Sequence, residues 1–162
     1  MKKHPKYWYR VTKYDPKKRR EDGAYLDQTE WTEFNELKNP NYNFKDYLLT
    51  ENAYIYAIYY FIELNKETDF QLFTKIVKNK LTKNSKIFTD KISLEYYIKK
   101  IFRENFGAKI RCNNMCVHFG WDYYMYIGSN NKCDISELDF GGVKIYIEKI
   151  KTSPYTKLNE LL

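Results

Sequence analysis

Glycine, proline, cysteine and histidine are all scarce in this chain of 162 residues, which holds six, four, three and two of them respectively. It has no G-x-S-x-G elbow, no phosphate-cradling P-loop and no Rossmann glycine pattern, which removes the commonest nucleophile and dinucleotide signatures. No Gly/Ser linker, internal repeat or low-complexity tail divides it, so one domain over 1–162 with a single core is expected. An odd cysteine count (Cys112, Cys116 and Cys133) does not make a disulfide framework. Together with an N-terminus that is charged and followed by no apolar stretch, it predicts reduced thiols and a cytoplasmic location. The most apolar run, AYIYAIYYFI at 53–62, is too short to span a bilayer, and no membrane partner is expected.

Aromatic residues are abundant instead. They make up 19% of the chain, with seventeen tyrosines. A tyrosine buries a ring and keeps a hydroxyl wet, so the excess serves either a core rich in rings or a contact surface. The formal net charge is +7, but it is unevenly spread. Residues 1–20 hold nine Lys/Arg against Asp15 alone, and a second basic run at 75–111 holds eleven against three acids. Residues 21–37 carry six acids and no base, and 112–143 carry four acids and only Lys132. Phosphate repels an acidic pole, so this pattern suits a nucleic-acid binder less well than a protein that docks a cationic partner.

Periodicity predicts an α+β fold in which a mostly antiparallel sheet is packed by two main amphipathic helices. YWYRVTKY (7–14) alternates as a strand, and DPKKRREDG (15–23) follows as a charged loop. DQTEWTEFNEL (27–37) reads as a short helix capped by Asp27, with Trp31, Phe34 and Leu37 on one face and Glu30 and Glu33 beside it. The first main helix spans 43–65, capped by Asn43, with Phe44, Tyr47, Leu48, Ile55, Ile58, Phe61 and Ile62 as its apolar stripe. Residues 69–81 fit both periods, and their branched and aromatic content favours a strand. The second helix spans 93–105, capped by Ser93, with Leu94, Tyr97, Ile98, Ile101 and Phe102 buried.

The last third reads as β structure. A hairpin turning at Asn113-Asn114 is expected within 108–129, its second arm running straight through HFGWDYYMYIGS. Alternation sends Val117, Phe119, Trp121, Tyr123, Met125 and Ile127 to the core. His118, Gly120, Asp122, Tyr124 and Tyr126 go to the other face. GVKIYIEKIK (142–151) is a further strand.

Three constellations could carry chemistry. Cys112 and Cys116, with His118 and Cys133 near, have soft ligands, but no second paired cysteine motif supports a zinc site, and no metal or cofactor is expected. Cys116 and His118 could form a nucleophile–base pair, yet nothing marks either as activated. Glu30 and Glu33 could act as acid and base, although caps and solvated faces explain such pairs. No enzyme site is therefore expected. What remains is a contact surface of Asp122, Tyr124, Tyr126 and Trp31, offering rigid amphipathic area with negative charge.

Several strings, in this order along the chain, resemble a known family: YWYRVTKYDP, EWTEF at 30–34, YLLTENAYIYAI at 47–58, REN-F at 103–106, HFGWDYYMYIGS and SPY at 153–155. The chain resembles the CdiI-type immunity proteins of contact-dependent inhibition and other polymorphic toxin systems, of the group associated with ribonuclease toxins, the EndoU class among them. The resemblance implies binding and neutralising one cognate toxin domain by covering its substrate or active-site surface, without catalysis. Glu30, Trp31, Asp122, Tyr123 and Tyr124 are carried over as family-like positions, and Gly120-Trp121-Asp122 departs from the Tyr expected after Gly. A toxin-binding set of Glu30, Trp31, Glu33, Asp122, Tyr123, Tyr124 and Tyr126 follows. The competing expectation is an RNA- or DNA-binding protein that uses the basic runs for phosphate and tyrosines for stacking.

Overall fold

Residues 4–21, 32–77, 81–104, 108–120 and 122–156 are described by a computed structural model. Eight strands form one antiparallel sheet: β1 (Tyr7–Thr12), β2 (Phe70–Val77), β3 (Leu81–Phe88), β4 (Ala108–Arg111), β5 (Met115–Phe119), β6 (Met125–Ser129), β7 (Glu137–Phe140) and β8 (Val143–Ile150). Their spatial order is β3-β2-β4-β5-β6-β1-β8-β7. Helices α1 (Phe44–Asn65) and α2 (Lys91–Glu104) cover one face of it. The chain is therefore a single α+β domain, as the periodicity predicts.

Alternation decides which face is covered. Tyr9, Ile127, Val117, Ile110 and Leu72 are successive cross-strand neighbours from β1 to β2, and all are buried in the core. Tyr54, Ile55, Ile58, Phe61 and Ile62 of α1 and Leu94, Ile98 and Ile101 of α2 close over them. Each such side chain, fully buried, stabilises the fold by roughly 1.5–3 kcal/mol. Asn43 caps α1, its side chain accepting from the Lys45 N–H at 2.8 Å, and Lys66 ends the helix in the left-handed conformation.

Five expectations need amendment. Phe44 is 52% exposed and lies outside the stripe. The cap of α2 is Asp90, which accepts from the Ser93 N–H at 2.7 Å, so the helix begins earlier than Ser93 suggests. Of the helix expected at 27–37, Phe34–Lys38 is a 3-10 turn, and Asp27, Glu30 and Trp31 lie outside the described residues. The edge strands β3 and β7 were not anticipated. The straight arm expected over HFGWDYYMYIGS is a second hairpin, β5–β6, with Phe119 opposite Met125.

That last difference leaves the face assignment of the β5 and β6 residues intact, while Trp121 lies outside the described residues. The connection holds five residues, 120–124, an odd number, so residues of like parity still meet on one face. Gly120 makes the turn possible. A Cβ there would meet the Tyr124 carbonyl oxygen at 2.9 Å, and the Gly120 N–H donates to that same oxygen at 2.8 Å.

Candidate functional site

The β5–β6 turn contains two consecutive non-glycine residues in the left-handed region, Asp122 at φ 54° and Tyr123 at φ 59°. Tyrosine rarely adopts this conformation, so something must hold it there. The hold comes from α1. The Tyr54 hydroxyl donates to the Tyr123 carbonyl and accepts from the Lys13 N–H at 2.7 Å. The Tyr123 ring stacks on Phe102 with centroids 5.3 Å apart and meets Tyr54 and Tyr47 edge-on.

Beneath the turn runs a chain of polar groups. The Tyr123 hydroxyl donates to the Tyr47 hydroxyl at 2.9 Å, which donates to Glu51 Oε2 at 2.8 Å. Arg103 of α2 grips the same carboxylate, Nε to Oε2 at 2.8 Å and Nη2 to Oε1 at 2.6 Å. Glu51 is fully buried, while the Arg103 side chain is 38% exposed. This fork is the geometry in which a buried carboxylate is tolerated. Burial pushes both the Tyr47 and Tyr123 hydroxyls above the ordinary tyrosine range, so they stay protonated and donate.

Around this anchor the anticipated contact residues are partly gathered. Glu33, Thr32, Phe119, Gly120 and Tyr123 line one small cleft at the base of the turn. Asp122 is exposed at its tip, whereas Tyr123 is buried and supports the turn from below. Tyr124 and Tyr126 are half-buried on the opposite sheet face, Tyr124 against Tyr14 and Tyr126 against Tyr155, with centroids 5.8 and 5.6 Å apart. The structure thus joins Glu33 to the turn and sends Tyr124 and Tyr126 elsewhere. Glu30 and Trp31 lie outside the described residues.

No family model, curated protein or solved structure matches this chain. Its chemistry therefore rests on its own geometry.

The other face of the hairpin houses His118. Its Nδ1 lies 2.9 Å from the Ser153 hydroxyl, its ring is tilted against Trp8 at 5.2 Å, and it is 3% exposed. Burial, reinforced by Lys109 and Arg111, pushes its pKa down to about 3. Cys116 moves the other way: burial raises its thiol to about 11. Near neutral pH both are uncharged, the opposite of a thiolate–imidazolium pair. Among the described residues, no three His, Cys, Asp or Glu side chains gather where they could hold a metal ion. None of the described helices is long and apolar enough to cross a membrane.

Sequence reasoning missed the pairing of Glu51 with Arg103, and it reached Lys109 and Arg111 only as members of the basic run 75–111. Glu51 did carry a signal, for it stands one helical turn from Tyr47 and Ile55 on an apolar stripe. A carboxylate in that position needs a cationic partner.

Proposed function

We propose that this protein is an immunity protein of the CdiI type, which binds one toxin domain and blocks the surface that would meet its substrate. The β5–β6 turn carries this reading. An exposed carboxylate, Asp122, stands at the tip of a turn held in a strained conformation by Tyr54 and Tyr123, with Glu33 at its base. Such a turn loses little freedom on binding, so its charge acts in full against a cationic cleft. A ribonuclease must present cations to bind phosphate, and carboxylates at the right places occupy them. The resembling strings also converge in space. YWYRVTKYDP supplies β1, which pairs with β6 of HFGWDYYMYIGS, and YLLTENAYIYAI and REN-F supply the Glu51–Arg103 pair beneath.

The net charge of +7 does not act on a toxin as a whole, because repulsion between exposed charges fades beyond about 10 Å at 0.1 M salt.

The test is to sequence the gene immediately upstream and to co-express its C-terminal domain with this chain. The expected result is a stable complex and loss of that domain's toxicity. Asp122→Asn and Glu33→Gln together should weaken the complex by about tenfold or more, as loss of interfacial charge pairs does. Toxicity that persists at equal expression, with no complex on gel filtration, rejects the reading.

A further inference from the structure

The β5–β6 turn has a second support, on the sheet face away from the helices. Position 120 shares its parity with His118 and Tyr126, so Gly120 turns its bare Cα to that face. With no side chain, the first limb of the turn has nothing of its own to pack there. The returning limb is held by Tyr124, whose ring lies 5.8 Å from that of Tyr14. Gly120 is reached instead by Tyr155, from the segment that follows β8. A Cβ at position 120 would meet the Tyr155 hydroxyl oxygen at 3.1 Å and its Cε2 at 3.2 Å. The ring edge therefore rests on the Gly120 backbone. The same ring packs against Tyr126, with centroids 5.6 Å apart and planes at 62°.

Tyr155 is itself firmly placed. Residues 153–156 form one turn, closed by the Thr156 N–H donating to the Ser153 carbonyl at 3.1 Å. The Thr156 hydroxyl donates to the same carbonyl at 2.6 Å. Pro154, in the second position, presets the backbone angle that such a turn needs. The Tyr155 N–H donates to Ser153 Oγ at 3.2 Å, and that hydroxyl lies 2.9 Å from His118 Nδ1. Ser153 is buried. It anchors the segment on β5, and Tyr155 extends from the anchor to the β5–β6 turn. Among the described residues the Tyr155 hydroxyl makes no hydrogen bond, so the ring carries the contact.

We propose that Tyr155 is a positioning residue for the partner-binding turn. Its ring fixes Gly120 from the open face, while the Tyr54 hydroxyl fixes the Tyr123 carbonyl from α1. Asp122 stands between these two holds and is kept by them in its left-handed conformation, φ 54°. The inference rests on the reading of Asp122 as a partner contact. The bond from the Gly120 N–H to the Tyr124 carbonyl, at 2.8 Å, closes the turn. Without Tyr155 the Gly120 limb can swing away and break that bond. Binding must then order the turn, and that cost is subtracted from affinity. A ring that merely covered Tyr126 would leave the turn indifferent to its removal.

Amide exchange of the full chain, followed residue by residue by NMR, tests the hold without a partner. In Tyr155→Ala the Gly120 N–H should exchange about tenfold faster, while those of β1 and α1 keep their rates. Tyr155→Leu, which retains an apolar cover for Tyr126 but is too short to reach Gly120, should behave like alanine. Tyr155→Phe keeps the ring edge and should restore the parent rate. Against the domain encoded upstream, Tyr155→Ala should weaken binding by about fivefold. That loss should vanish when residue 122 is already asparagine, because both changes then act through one contact. The proposal is overturned by Gly120 exchange that ignores Tyr155→Ala and Tyr155→Leu, or by failure of phenylalanine to restore it. Faster exchange throughout β1 and α1 also overturns it, since Tyr155 would then serve general packing. So does a complex that Asp122→Asn weakens and Tyr155→Ala does not. Absence of any complex rejects the partner reading instead, and the exchange rates still decide whether Tyr155 holds the turn.

Discussion

Tyr123 and His118 leave the same hairpin in opposite directions, and the sheet houses them by different means. On the helix-covered face, polar groups are linked in series, from Tyr123 through Tyr47 and Glu51 to Arg103, so a charged carboxylate can stay in the core. On the open face, His118 has one hydroxyl partner at Ser153 and cations as neighbours, and it remains in the core only by being neutral. A carboxylate at neutral pH keeps its charge and must find a guanidinium, whereas imidazole can give its proton up. The covered face is thereby built for rigidity, and the open face carries a groove lined by His118, Lys109 and Arg111.

This contrast can be broken most sharply at Arg103. Arg103→Met leaves the Glu51 carboxylate buried and unpaired and should lower stability by about 3 kcal/mol. Glu51→Gln leaves only a partly exposed guanidinium and should cost clearly less. Equal losses in urea unfolding would show that the pair contributes by packing alone.

On the open face the expected effect depends on pH. The folded-state pKa of His118, about 3, lies below its ordinary 6.5. Between these values the unfolded chain takes up a proton that the folded one refuses. Stability should therefore fall as pH drops from 6.5 towards 3, with a slope approaching about 1.4 kcal/mol per pH unit from this group. Comparison of His118→Asn with the parent should show a shallower acid limb. An identical limb in the two proteins would mean that the imidazole is solvated.

Smaller effects sharpen the comparison. Tyr123→Phe removes the first hydroxyl of the buried chain and should cost about 1 kcal/mol in thermal or chemical unfolding. Asp122→Val forces a branched side chain into the left-handed conformation and should also cost about 1 kcal/mol, whereas Asp122→Asn should leave the melting temperature unchanged. A tolerated valine would indicate that the turn is free to relax, and with that the rigidity argument for Asp122 would fail.

Much of the architecture was legible from periodicity. The span of α1, its cap at Asn43 and the buried faces of α1 and α2 follow from a helical repeat that tertiary contacts reinforce. Both faces of β5 and β6 were also readable, although the turn between them was not. No glycine or asparagine marks positions 122 and 123, and the positive φ values there come from Tyr54 and Tyr47 reaching across from α1. The candidate site was legible only in part. Glu33 and Asp122 come together at one cleft and its turn, while Tyr124 and Tyr126 fall on the far face because alternation resumes after the turn.

By itself the sequence determined which apolar faces of the main helices and of β5 and β6 turn to the core, Phe44 excepted, because the periods of 3.6 and 2 are local properties of the backbone and need no partner to be read. Only the tertiary structure decided which charges meet. Glu51 and Arg103 are 52 positions apart, and Gln71 is set beside Arg111 by strand order. Electrostatic energy depends on distance in space, and strand order is chosen by the packing of the whole sheet rather than by any one segment.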